Sequence, residues 1–261
     1  MQEMTRYEVR GRAAWITLDS PATRNALSGP MIEGMGAHLD RALADAVVRV
    51  VALTGTGPVF CAGADLKAGG VAVAPGGAGR NPFVEILKRI WEGPKPVVVA
   101  ANGHAFGGGV GLLAAGDVAI AVESATFSFS EVRVGVIPAI ISVVVLPKLG
   151  IHQTMRLFLT GRRFDAGEAR GYGLLHRVVP AEGLAAAVDE EVEAIAQGGP
   201  NAVAEAKRLV RTVARLPMDD AFDYAAAKSA ELFASAEAAE GMAAFAQKRK
   251  PAWIERDPRA G

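Results

Sequence analysis

An α/β fold of repeated strand, strand, helix units, closed by a helical C-terminal region, is predicted by three features of the sequence. Short apolar runs rich in β-branched residues, 50–55 and 96–101 among them, have the length and content of buried strands. Both lead through glycine-containing turns into segments of small residues, and the second of these suits a buried helix. From residue 181 onward, apolar side chains recur at helical spacing.

Taken in order, the pattern at 7–19 reads as two strands about a turn at Gly11 and Arg12, and 21–27 reads as a loop. Ser28 with Pro30 starts a helix whose Met31, Met35, Leu39 and Leu43 share a face until Val47. After the strand at 50–55 come a Gly/Pro loop and the small residues around Ala64. Residues 67–82 hold five glycines and two prolines with little periodicity, a loop that is either a lid or a surface insertion. A helix over 81–91 follows, then the strand at 96–101, the glycine turn, and short strands at 117–122 and 125–129. The last helices are expected over 184–196, 201–214, 218–233 and 236–250, with Phe222, Ala226, Ser229 and Phe233 along one stripe of the third. The division expected is a core over 1–198 and a helical region over 199–261.

Composition narrows the class of function. A chain of 261 residues, 51% hydrophobic, can bury one large core. Lys plus Arg and Asp plus Glu number 28 each, so no broad attraction to nucleic acid or membrane surfaces is expected. Cys61 is the sole cysteine, which excludes an intrachain disulfide and fits a reducing cytoplasm; its neighbours suggest packing. The opening MQEMTRYEVRGR lacks the apolar core of a signal peptide, and the longest apolar run, 134–146, is too short to span a membrane. A soluble, cytoplasmic protein is expected.

Two turns carry the chemistry. In 100–116, AANGHAFGGGVGLLAAG, the residues Gly107, Gly108 and Gly109 precede a helix whose first N–H groups have no intrahelical partner. In 59–66, VFCAGADL, a turn of similar character surrounds Ala64. Two turns offering one N–H each can hold a developing negative charge; either turn alone is equally explained by tight strand-to-helix packing.

Together the residues resemble the crotonase superfamily, the enoyl-CoA hydratase and isomerase family, over nearly the whole chain. The likeness rests on Asn25-Ala26-Leu27, 60–66, 102–109, Asp117, Phe127, Glu131, Gly135, Ile137-Pro138, Leu159-Thr160-Gly161 and 173–179. It implies a spiral of ββα units, an acyl-CoA substrate with no further cofactor and no metal, and trimers that pair into hexamers. It implies an oxyanion hole formed by the N–H groups of Ala64 and Gly108. Coenzyme A would lie along Arg24, Ala26 and Leu27 and along Ala62, Asp65 and Leu66, with Lys250 available to its phosphates. The CoA ester would also meet Gly107, Gly111, Pro138 and His104, the last as a structural or CoA-side residue. Lys250 and its neighbours also have a plain use, offsetting a helix dipole before Pro251.

Glu131 stands where the family has a catalytic glutamate, and the resemblance makes it the acid/base; a surface carboxylate or a partner of Arg133 is the plain alternative. Hydratases with two glutamates carry the first at the position of Gly111, where this chain has none. Three readings follow: Glu131 alone moves a double bond, Glu131 works with another polar group such as His104 to add water, or the protein binds acyl-CoA with little turnover. Segment 130–142 is similar to that of hydratases acting on branched or carboxylated enoyl-CoAs, so water addition to a 2-enoyl-CoA is the first expectation and isomerisation the second. No phosphate loop, zinc-protease motif or nucleophile elbow competes.

Overall fold

The computed structural model describes residues 4–65 and 81–255. The hairpin of β1 (Thr5–Arg10) and β2 (Ala13–Leu18) opens the chain, and β2 continues into a parallel array with β3 (Val50–Gly55), β5 (Val97–Ala101), β7 (Val118–Val122) and β10 (Arg177–Val179). A second sheet holds β4 (Val59–Cys61), β6 (His104–Phe106), β8 (Thr126–Ser128) and β9 (Arg163–Asp165). The expected units appear as β3-β4-α2 (Pro82–Glu92), β5-β6-α3 (Gly108–Ala115) and β7-β8-α4 (Ala139–Thr160), each putting its first strand in one sheet and its second in the other. Repetition of that step makes the spiral.

The large sheet is the centre of the core because it is covered on both faces. Every residue of β5 is buried, as are Val50, Val51, Ala52 and Leu53 of β3, which suits the continuous apolar runs of parallel strands. Helix α1 (Gly29–Ala44), capped by the Ser28 hydroxyl on the Met31 N–H, buries Met31, Met35 and Leu39. It stops short of Val47 because Asp45 accepts the Val47 N–H in a tight turn, while Lys95 binds the carbonyls of Ala42 and Asp45. Helix α6 (Leu184–Ala196) packs on β3, β5 and β7.

Polar anchors at the two edges of the sheet fix what lies beyond it. Where the strands begin, Asp117 accepts the Val97 N–H at 2.7 Å and pairs with Lys207 at 2.8 Å and Arg211 at 2.6 Å. Lys207 is only 7% exposed and also caps the carbonyls of Ile90 and Lys95, so α7 (Pro200–Val213) is pinned to the core by charge satisfied on every side. Where the strands end, Asn25 is fully buried: its Oδ1 accepts the Ser20 N–H and its Nδ2 donates to Thr56 and Val59. Asn102 does the same for Gly55 and Gly57. These two amides hold the loop that carries the chain from β3 to β4.

Several elements differ from expectation. Strands β4 and β6, three residues each, were not anticipated, and α4 takes the place of an unassigned apolar run. Pro147 lies inside α4 and Gly150 has φ +68, so two helical stretches run on across a kink. The loop expected over 67–82 lies mostly outside the described residues. Helix α8 (Met218–Phe233) matches its expected span, whereas α9 (Ala236–Ala246) ends before 250, with Lys248 at φ +53. Among the described residues no helix is long and apolar enough to cross a membrane.

The buried Asn25 amide predicts a measurable cost. Asn25→Ala leaves three main-chain groups without their partner, and a loss of about 2–4 kcal/mol in unfolding free energy is expected from urea titration.

Candidate active site

Helix α3 and the turn before it form the floor of the site. Gly107 has φ +50 and ψ −117, a conformation side chains rarely adopt, and its N–H donates to Ser128 at 2.9 Å. The turn ends there and α3 begins, so the Gly108 N–H is one of the helix's unpaired first donors. A Cβ on Gly109 would lie 2.5 Å from the Cys61 carbonyl oxygen, which is how closely α3 approaches β4. Leu27 and Phe83 close over Gly108: a Cβ there would be 2.6 Å from Leu27 Cδ1 and 3.4 Å from the Phe83 ring.

The second turn lies against the first. At Gly63, with φ +83, a Cβ would fall 2.8 Å from the Phe106 oxygen and 3.3 Å from the Gly108 nitrogen. The 62–65 segment is tied to 24–27 by hydrogen bonds from Ala62 N–H to Arg24 at 3.0 Å and from Leu27 N–H to Gly63 at 2.8 Å. Leu27 and Ala64 form a parallel bridge in which Leu27 bonds to the residues flanking Ala64. In that pattern the Ala64 N–H points away from Leu27. The amides of Ala64 and Gly108 therefore sit on two adjoining turns, each directed away from its own scaffold.

Glu131 completes the group. It opens a short 3₁₀ helix, Glu131–Val134, directly after β8, and that approach is set by Phe129, fully buried between Phe158 and Phe164 with ring centroids 4.8 and 6.0 Å away. The carboxylate rests on the bare face of Gly107, where a Cβ would be 3.0 Å from Oε1. Its other oxygen is buried with no hydrogen-bond partner among the described residues. Arg133 does not pair with it; that guanidinium turns to the Thr160 carbonyl. Burial pushes the Glu131 carboxyl above its ordinary range, and its own main-chain N–H offsets this in part. A half-buried carboxylate with one oxygen unpartnered among the described residues and a raised pKa, close to the first N–H of α3, is suited to carry a proton to and from carbon.

Other expected residues fall in different places. Arg24, Ala26, Ala62 and Asp65 line up along the tied 24–27 and 62–65 segments, while Leu66 lies outside the described residues. His104 uses Nδ1 to accept the Thr126 N–H at 3.1 Å, which gives it a part in holding the small sheet. Pro138 is buried at the start of α4. Lys250 follows Arg249, which is spent on Glu240, and precedes Trp253, whose indole N–H donates to Gln197. Arg12, at the edge where β2 begins, donates to the carbonyls of Trp253 and Ile254. Within one chain the tail is thus docked at the edge of the sheet opposite Glu131. The Cys61 thiol is buried and pushed up to about 12, a packing residue.

Gly111 is the position where the sequence lacks a carboxylate, and the structure fills the space. A Cβ there would stand 2.3 Å from Ile141 Cγ2 and 3.0 Å from Ile141 Cβ. No sequence signal marks Ile141 or Phe83, because both reach α3 only through the folding of other helices. Asn25 and Asn102 were legible as motif residues without their clamping role.

The comparisons agree with this architecture. The family model described as enoyl-CoA hydratase/isomerase matches residues 8–256. The enoyl-CoA hydratase EchA19 of Mycobacterium tuberculosis is 37% identical over 253 residues, covering 94% of each chain. A carnitinyl-CoA dehydratase of Citrobacter koseri is 34% identical over 260 residues, covering 97% of this chain and 99% of that one. The crystal structure of an enoyl-CoA hydratase from Shewanella pealeana superposes with a TM-score of 0.89 at 30% identity, over 96% of both chains.

The raised carboxyl has a consequence for stability. The folded protein keeps the Glu131 proton to higher pH than the unfolded chain, so this contribution is present at low pH and is lost as pH rises through the raised folded-state value. Glu131→Gln removes that titration. Relative to the parent, the variant should gain stability as pH climbs from the ordinary carboxylate range to neutrality, read from urea midpoints at both ends.

Proposed function

The chain belongs to the enoyl-CoA hydratase/isomerase family, and from that premise we propose that it forms and discharges an enolate of an enoyl-CoA thioester. The N–H groups of Ala64 and Gly108 hold the thioester oxygen, and Glu131 carries the proton. Coenzyme A lies along the 24–27 and 62–65 segments. The observation that supports this reading above the others is the half-buried Glu131 carboxylate resting on Gly107, next to the first N–H of α3, with one oxygen buried and unpartnered among the described residues.

The reaction the geometry supports best is a shift of the double bond from the 3 to the 2 position. Glu131 takes a proton from C2: the C–H bond breaks, its electron pair delocalises onto the thioester oxygen, and the two amides stabilise the charge. Electrons then return, C4 takes the proton back from Glu131, and the double bond rests between C2 and C3. One carboxylate is sufficient, and no atom is gained or lost. Each oxyanion donor is worth about a hundredfold or more in rate.

Water addition to a 2-enoyl-CoA is the second reading, favoured by the hydratase and dehydratase names of the relatives. It uses the same amides and Glu131 but needs an activated water as well, and the place of a second carboxylate is taken by Ile141.

Assembly is part of the proposal. Large apolar side chains stand in solvent along α4, with Ile151 75% exposed, and on α8 and α9, with Phe245 88% exposed. Monomers seldom leave such surfaces open, and we assign them to contacts in a homotrimer or a pair of trimers. Light scattering on the purified protein should give three or six times the 27.1 kDa chain mass; a monomer would contradict the assignment.

Glu131→Gln tests the chemistry. Turnover of 3-enoyl-CoA should fall by roughly 10²–10⁴-fold while acyl-CoA binding changes little. Near-parental turnover would contradict the role given to Glu131, and a parent protein that binds enoyl-CoA without turnover would favour a binding module.

A further inference from the structure

We propose that Ile141 decides which of the two reactions the site performs, an inference that rests on Glu131 as the proton carrier. Gly107, just before the helix, and Gly111, whose N–H bonds back to it, leave a strip without side chains at the start of α3. Two groups occupy that strip in succession: the Glu131 carboxylate over Gly107, and the Ile141 Cγ2 methyl over Gly111. The methyl stands where a side chain at 111 would have to go.

The plug is held firmly. Ile141 is 3% exposed and lies in the first turn of α4, which follows buried Pro138 and is closed by the Ser142 N–H on the Pro138 carbonyl. A β-branched side chain in a helix has one strongly preferred χ1, so the methyl does not swing aside at small cost. The Gly111 N–H is spent within α3 on Gly107, and the neighbours Val110 and Leu112 are apolar. A buried water needs two to four polar partners, and among the described residues the side chains at 110, 111, 112 and 141 offer none. The enolate formed by Glu131 therefore has only the Glu131 proton to take, and the double bond moves without oxygen entering.

The inference is tested by exchanging plug and carboxylate together. In water enriched in heavy oxygen, Gly111→Glu/Ile141→Ala should form labelled 3-hydroxyacyl-CoA from a 2-enoyl-CoA at least ~100-fold faster than the parent. Gly111→Glu alone should melt at lower temperature and stay at the parental hydration rate, because its side chain meets Ile141. A double variant that still shifts double bonds yet takes up no oxygen would overturn the inference, as would a single Gly111→Glu variant that hydrates as fast as the double.

Should the double variant fail to fold, Ile141→Ala alone decides the matter in heavy water. Opening the wall lets solvent compete with direct return of the proton, so deuterium in the 2-enoyl product should rise severalfold. Unchanged deuterium content would overturn the role of Ile141. A parent protein that neither shifts a double bond nor exchanges a proton would refute the Glu131 reading and this inference with it, whereas a parent that shifts the bond beside an Ile141→Ala variant with unchanged deuterium refutes the inference alone.

Discussion

Everything at this site depends on main-chain segments approaching more closely than side chains would allow. The Glu131 carboxylate touches the backbone of Gly107, the 63–64 turn lies beside the Gly108 nitrogen, and α3 rests on the Cys61 carbonyl. At 63 and 109 a Cβ would fall under 3.0 Å from main-chain atoms, so the absence of a side chain there is a steric requirement, whereas at 107 it follows first from the backbone conformation, φ +50. This approach brings the 63–64 turn, the first N–H of α3 and the Glu131 carboxylate against one another.

Such an approach is useful only if its parts are held from behind. Asn25 and Asn102 fix the loop from β3 to β4 by bonding main-chain groups on several sides. Phe129 anchors the strand end from which Glu131 projects, packed between α4 and β9. At the far edge, Asp117 with Lys207 and Arg211 docks α7 and so joins the C-terminal helices to the sheet. The chemical edge of the sheet is thus built from neutral amides and aromatic packing, and its structural edge from paired charges.

Much of this was legible in the sequence, for reasons that differ by element. The helices at Leu184–Ala196 and Met218–Phe233 were read to the residue because their apolar spacing is regular. The strands β4 and β6 were not, because three residues are too few for alternation to register. Helix α4 was hidden by an apolar run on both faces: Val144 and Val145 are buried while Val143 and Ile151 are exposed, so no polar side marked the helix. Glu131 and the two turns stood out through their motif context, and the missing carboxylate at Gly111 was visible. That Ile141 fills the vacancy was not, since the contact exists only once α4 folds back over α3.

The central claim is that one carboxylate and two amides suffice for proton transfer at a thioester enolate. Incubating the protein with a 3-enoyl-CoA in heavy water, and following the double bond and the hydrogens at C2 and C4 by magnetic resonance, tests it most directly. The account predicts a 2-enoyl product carrying some solvent deuterium at C4, with no hydroxyl group added. A substrate recovered with its double bond in place and no deuterium at C2 would contradict it.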